Sequence, residues 1–264
     1  LFRVGIQAKE VSDDDRMPAN LVFLIDTSCS MRSSDKLGLT KASLKEAVSR
    51  LDERDQVAIT TYAGGVRLVL PPTRGDQHDR ITAAIDNLRS SGGTAMSSGL
   101  ELAYKQASRM LSEGEITRII VCSDGDANIG ATSPQEMLRR VKGYVSEGVT
   151  LSTIGFGQGN YKDAMMEQLA NKGDGKHYNI DSKRQARRVL GRDRTKRLQD
   201  VAQDVKIQVE FNPEAVQAYR LVGYENRAVA DKDFRNDKVD AGEIGAGHQV
   251  TALYELELTE EAEG

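Results

Sequence analysis

The sequence predicts an α/β fold, a doubly wound and mostly parallel sheet with one antiparallel edge strand, plus a small antiparallel β domain. Three observations carry this. Residues 21–25 are five consecutive apolar residues without alternation, as in a strand buried on both faces of a parallel sheet. Similar runs at 117–122 and 149–156 alternate with amphipathic stretches long enough for crossover helices. Beyond about residue 203, segments 205–211, 218–224 and 249–258 instead alternate apolar and polar, as half-buried antiparallel strands do. The expected division is therefore 17–203 for the α/β domain, with 1–16 and 204–264 joined in a small β domain built from both chain ends.

Residues 2–11 partly alternate without a helix cap and predict a strand. Residues 12–20 hold Asp13, Asp14, Asp15 and Pro18 and predict a loop. The buried strand then ends at Asp26. Ser33, Ser34 and Asp35 offer N-caps to a helix whose inward face is Leu37, Leu44, Val48 and Leu51. After a strand at 57–63, Gly64-Gly65 is a hairpin turn. The strand at 66–70 must return antiparallel, because two residues cannot form a crossover, and Pro71-Pro72 is expected to stop it. Helices at 79–88 and 97–111 flank a loop of small residues, 90–98. The strand at 117–122 runs into Ser123-Asp124-Gly125-Asp126. Ser133 as N-cap and Pro134 as N1 open a helix to about 146. A strand at 149–156, a helix at 163–170, a strand at 176–180 and a helix from 181 to about 200 complete the domain.

At 264 residues the chain can bury a sizeable core. Hydrophobic residues make up 39% and charged residues 29%, and the net charge of −4 is made of interspersed signs. No basic stripe argues for nucleic acid, and no apolar run is long enough to span a membrane. Residues 183–197 are the densest basic stretch and read as the wet face of a late helix. No signal peptide is visible and the chain opens on Leu1, so it reads as an excised piece of a longer protein whose targeting segment is not present. Two cysteines, Cys29 and Cys122, make neither a disulfide framework nor a zinc site of usual spacing.

Asp26 would stand at the carboxyl end of its strand, the edge where open α/β sheets bind ligands. Asp26, Ser28 and Ser30 place oxygen at every second position. A curled loop would converge them on a hard divalent cation, which prefers oxygen ligands. The same residues also serve as a turn followed by a helix N-cap. Two further donors, Thr94 after Gly92-Gly93 and Asp124 at the end of the 117–122 strand, follow elements that end on the same sheet edge.

In this combination, over about residues 17–200, the sequence resembles the von Willebrand factor A domain. That family's metal-ion-dependent adhesion site is Asp-x-Ser-x-Ser, a distant Thr, and an Asp followed by Gly. The tail motifs VKIQVEFNPE, YRLVGYENR and DAGEIGAGH resemble the C-terminal domain of the bacterial YfbK-like proteins. The resemblance implies Mg²⁺ (or Mn²⁺ or Ca²⁺) held by Asp26, Ser28, Ser30, Thr94 and Asp124. It implies direct ligation by the two serines, while Thr94 and the aspartates exchange direct for water-mediated contact as the domain switches. It also implies a partner protein that completes the coordination with an Asp or Glu, and a bacterial cell-envelope or other extracytoplasmic setting. Two anionic and three neutral donors would leave the dication much of its charge, which favours an outside carboxylate.

The sequence departs from the family pattern in three places. Cys29 replaces the usual Gly between the serines, Ser123 the usual Thr before the late acid, and Met96 the usual small residue after Thr94-Ala95. With Met31 and Asp126, these residues form a possible ligand rim or redox group: Cys29, Cys122, Met31, Met96, Asp126. The thiols can pack as small hydrophobes, pair as a disulfide between neighbouring strands, or attract Cu(I) or zinc.

The leading function is a metal-dependent protein-binding module for adhesion or assembly. The alternatives are a structural scaffold with a thiol-modified or redox-sensitive site, and a metal-assisted hydrolase. The hydrolase lacks a general base, since Asp126 is the only spare carboxylate and no His lies near the motif loops. His78, His177 and His248 are isolated. The acidic loop Asp231, Asp233, Asn236, Asp237, Asp240 and Glu243 has Arg235 where an EF-hand needs oxygen. Gly155-Phe156-Gly157-Gln158-Gly159 lacks dinucleotide spacing, and no P-loop or nucleophile elbow occurs.

Overall fold

A computed structural model describes residues 1–12, 15–93, 95–125, 133–157, 163–190, 200–223, 234–235, 242–247 and 249–259. The chain divides into two compact units, Met17–Thr195 and Leu1–Arg16 with Lys196–Gly264. In chain order the elements are β1 (Phe2–Gln7), β2 (Ala19–Asp26), α1 (Leu39–Val48), β3 (Gln56–Tyr62), β4 (Val66–Arg74), α2 (His78–Asp86), α3 (Met96–Met110) and β5 (Ile116–Ser123). They continue with α4 (Pro134–Val145), β6 (Val149–Phe156), α5 (Asp163–Lys172), β7 (His177–Ile180), α6 (Lys183–Leu190), β8 (Asp200–Val205), β9 (Val216–Leu221), β10 (Gly242–Gly245) and β11 (Gln249–Leu258).

The larger unit is built on a six-stranded sheet of order β4-β3-β2-β5-β6-β7. Every pairing is parallel except β3 with β4. All eight residues of β2 are buried, which is why its sequence shows no alternation. Its even-numbered residues Val22 and Leu24 join Ala58, Tyr62, Ile119 and Val121 in a core with Leu100, Ala103 and Tyr104 of α3, Met137 and Val141 of α4, and Leu169 of α5. The alternate residues Phe23, Ile25 and Ile120 are equally buried. Helix α3 comes close to the sheet at Gly99, where a Cβ would lie 2.9 Å from the Tyr62 Cβ and 3.1 Å from Leu24 Cδ1.

Three local expectations change. β4 runs through Pro71-Pro72 to Arg74, with register shifts opposite Val57–Thr60. It is an edge strand, where a residue without an N–H costs no interior ladder bond. α1 begins only at Leu39, and no side-chain cap forms at Ser33. Before it the chain makes a 3-10 turn, Cys29–Arg32, and a π turn, Ser34–Gly38. The described part of the late helix ends at Leu190, and Asp200–Val205 is strand.

In the smaller unit, β1 and β9 pair antiparallel on either side of β11, and β10 pairs antiparallel with β8. Residues 206–211, read from their alternation as strand, are not in one. Phe211 instead packs its ring against Phe2, Tyr219 and Tyr254 at centroid distances of 5.6, 4.9 and 5.4 Å. An alternating segment can lay its apolar side on a sheet without joining the ladder. Most of the acidic loop at 231–240 lies outside the described residues, as does His248.

Candidate metal centre

Strand register assembles the site. Asp26 at the end of β2 lies opposite Tyr62 of β3, and Ile25 lies opposite Cys122 of β5. Ser123, the next residue of β5, donates its hydroxyl to Asp26 Oδ2 at 3.0 Å. The Ser28 N–H donates to Asp26 Oδ1 at 2.8 Å. Both oxygens of the carboxylate are thus held. The loop then curls so that the Ser28 and Ser30 hydroxyls stand 2.9 Å apart. Asp124 follows directly on Ser123 and is fully buried, as is Asp26, while Ser28 is 2% exposed. The Gly125 N–H donates to Ser123 Oγ at 3.2 Å and fixes the turn after β5.

A third segment is sewn to the same loop. The Ser91 N–H donates to the Thr27 carbonyl at 2.7 Å, and the Cys29 N–H donates to the Gly92 carbonyl at 3.2 Å. The Ser90 hydroxyl donates to the Ser28 carbonyl at 2.8 Å. Gly92 has φ +73°, and a Cβ there would lie 2.8 Å from the Gly64 N, so only glycine fits. This is the segment that leads into Thr94. Thr94 itself and Asp126 lie outside the described residues. Among the described residues, then, Asp26, Ser28, Ser30 and Asp124 are brought to one sheet edge.

The electrostatics follow from burial. Loss of solvent, with Asp124 nearby adding to the effect, raises the Asp26 carboxyl above the usual carboxylate range against the hydrogen bonds from Ser28 and Ser123. Burial and then the charge of Asp26 push the Tyr62 phenol well up. Asp124 receives a hydrogen bond from Lys36 Nζ at 2.8 Å. Two carboxylates and two hydroxyls with little solvent fit a hard cation, and the ammonium on Asp124 marks a position that accepts positive charge. Sequence reading missed Lys36 and the hydrogen bonds of Ser90–Gly92, which depend on loop closure, and Tyr62, which depends on strand register.

Both cysteines are free, Cys29 exposed and Cys122 buried. The disulfide alternative is therefore not the arrangement found. By strand alternation Cys122 shares the side of Ile120, opposite the face of Val121, and burial pushes its thiol up. Met31 and Met96 are fully buried, with Met96 inside the α3 core. Of the possible rim, only Cys29 is an exposed described residue, and Arg32 Nη2 lies 3.8 Å from its sulfur. No group of three or more His, Cys, Asp or Glu that could hold a metal occurs among the described residues, which leaves no soft-metal cluster there. His78 and His177 hydrogen-bond to the Leu51 carbonyl and to the Thr153 hydroxyl, at 2.9 and 2.8 Å.

Comparison with known proteins agrees with this geometry. The profile of the von Willebrand factor type A domain matches residues 20–191, and that of the C-terminal domain of the uncharacterized protein YfbK matches 196–264. The chain is 46% identical to the uncharacterized protein YfbK of Escherichia coli K12, over 98% of this chain and 45% of that protein. It is 30% identical to human inter-alpha-trypsin inhibitor heavy chain H4, over 72% of this chain and 20% of that one. The chain thus spans less than half the length of these relatives. Among solved structures, a von Willebrand factor type A protein from Catenulispora acidiphila superposes with TM-score 0.62 at 16% identity, over 97% of this chain and 66% of that one. Proximal thread matrix protein 1 from the mussel byssus, with a zinc-occupied MIDAS motif, superposes with TM-score 0.53 at 22% identity, over 71% and 46%. The chain belongs to the von Willebrand factor type A domain family, with a YfbK-type C-terminal domain following that domain.

Proposed function

We propose that this chain is a divalent-cation-dependent protein-binding module, in which the ion at Asp26, Ser28, Ser30, Thr94 and Asp124 captures a carboxylate of a partner protein. The observation that carries the reading is the meeting of two buried carboxylates and two hydroxyls from separate segments at the carboxyl edge of the sheet. Ser28 N–H and Ser123 hold the Asp26 carboxylate in one orientation, so its oxygens need not reorganise on loading. The serine hydroxyls supply oxygen without charge. A bound Mg²⁺ or Mn²⁺ would supply a residual positive charge and a coordination position for an outside oxygen. The Ser90–Gly92 stitch holds the residues that precede Thr94 in sequence against the Asp26 loop. Zinc at the MIDAS motif of the mussel protein supports a divalent ion at this place in the fold. The hydrolase reading has no described general base at the site.

The likeness to an aerotolerance-related membrane protein of Bacteroides fragilis supports an envelope setting, at TM-score 0.54 over 65% of this chain. No helix among the described residues is long and apolar enough to cross a membrane. Titration calorimetry with Mg²⁺ tests the function directly. The wild-type chain is expected to bind, and Asp26→Ala to give only heats of dilution. Equal heats from the two proteins would defeat the assignment.

A further inference from the structure

Lys36 is not part of the oxygen donor set, yet its ammonium sits on one member of it, Asp124. Lys36 lies in the π turn Ser34–Gly38 that connects the Asp26 loop to α1. Its backbone is fixed: its N–H donates to the Ser33 carbonyl at 3.2 Å, and its carbonyl accepts the Thr40 hydroxyl at 2.9 Å. Its aliphatic stem crosses Gly157 at the end of β6, where a Cβ would meet Lys36 Cγ at 3.3 Å and Cε at 3.4 Å. Gly157 has φ +108°, so this passage is open because the position suits glycine. The stem delivers Nζ to Asp124 Oδ2 at 2.8 Å, a charge-assisted distance.

The two ends of the pair differ in exposure. The Asp124 side chain has no solvent exposure, whereas that of Lys36 is 27% exposed. The lysine can therefore leave and the aspartate cannot. An ammonium and a dication at the same buried carboxylate also repel strongly where solvent screening is low.

We propose that Lys36 is a built-in counter-ion of the metal centre, which a divalent cation must displace from Asp124 in order to bind. This rests on the metal-centre reading above. Lysine neutralises the buried acid while the metal is absent, and metal loading swings the ammonium outward to the rim. Metal affinity is set by this exchange as well as by the oxygen donors.

The test uses Mn²⁺ alone, with free Mn²⁺ read by electron paramagnetic resonance. Lys36→Met keeps the length of the stem and removes the charge. It is expected to bind Mn²⁺ about ten-fold more tightly than wild type, the scale of one charged hydrogen bond no longer to be broken. A second readout needs no substitution: acetylation of Lys36 in the wild-type chain, followed by mass spectrometry. Saturating Mg²⁺ should accelerate it several-fold as the amine is released. Wild-type binding with unchanged or weaker affinity in Lys36→Met overturns the displacement alone. So does a Lys36 acetylation rate that Mg²⁺ leaves unchanged, and this second arm decides the matter if the variant does not fold. Absence of Mn²⁺ binding by both proteins removes the metal-centre reading and the displacement with it.

Discussion

Asp26 carries a cost that the fold does not recover internally. Burial disfavours its charged form, and Asp124 adds repulsion. A carboxyl raised in the folded state is stabilising only while protonated, and that contribution is lost as pH rises through the carboxylate range toward its raised value. The metal-free chain therefore loses this contribution as Asp26 ionises. Asn at this position keeps the acceptor for the Ser28 N–H, and Ser123 can turn its hydroxyl to accept. Asp26→Asn in EDTA is expected to melt a few degrees above wild type, on the order of 1 kcal/mol. Differential scanning calorimetry checks this, and a lower melting temperature would mean that the ionised Asp26 is itself a stabiliser. At this scale the convergence of Ser28 and Ser30 beside Asp26 was legible because the three are close in sequence. Lys36, Ser123 as a hydrogen-bond donor and Tyr62 were not, because the π turn before α1 delivers Lys36 and the pairing of β2 with β5 and β3 places the other two.

Between elements, α3 depends on how closely it can approach the sheet. Gly99 faces Tyr62 and Leu24, and an added methyl must displace buried, branched or aromatic neighbours. Gly143 lies on the exposed face of α4, and a Cβ there meets nothing within 4 Å. The same substitution should therefore have opposite signs. Gly99→Ala is expected to destabilise by about 1–3 kcal/mol through overpacking. Gly143→Ala is expected to stabilise by up to about 1 kcal/mol through helix propensity. Urea denaturation of both variants reads the difference, and equal effects would contradict the packing described. Buried strands and the amphipathic helices were legible as patterns with a single period. The π turn before α1 was not, since nothing in Ser33, Ser34 and Asp35 distinguishes a helix start from a loop that delivers Lys36. Alternation at 206–211 was read as strand, yet Phe211 uses it to pack rings. The short strand Gly242–Gly245 carries no strand signal at all.

Over the whole molecule, the sheet order β4-β3-β2-β5-β6-β7 places the ends of β2 and β5 side by side at its centre. That placement lets residues nearly a hundred positions apart share one site. Composition and periodicity alone required only a mostly parallel sheet. We propose that the buried acids of this edge await a divalent cation. Anomalous diffraction from a crystal soaked in Mn²⁺ tests it most directly. A strong peak is expected in direct contact with the Ser28 and Ser30 hydroxyls and beside Asp26 and Asp124. No peak there at saturating Mn²⁺, with Lys36 still seated on Asp124, would contradict it.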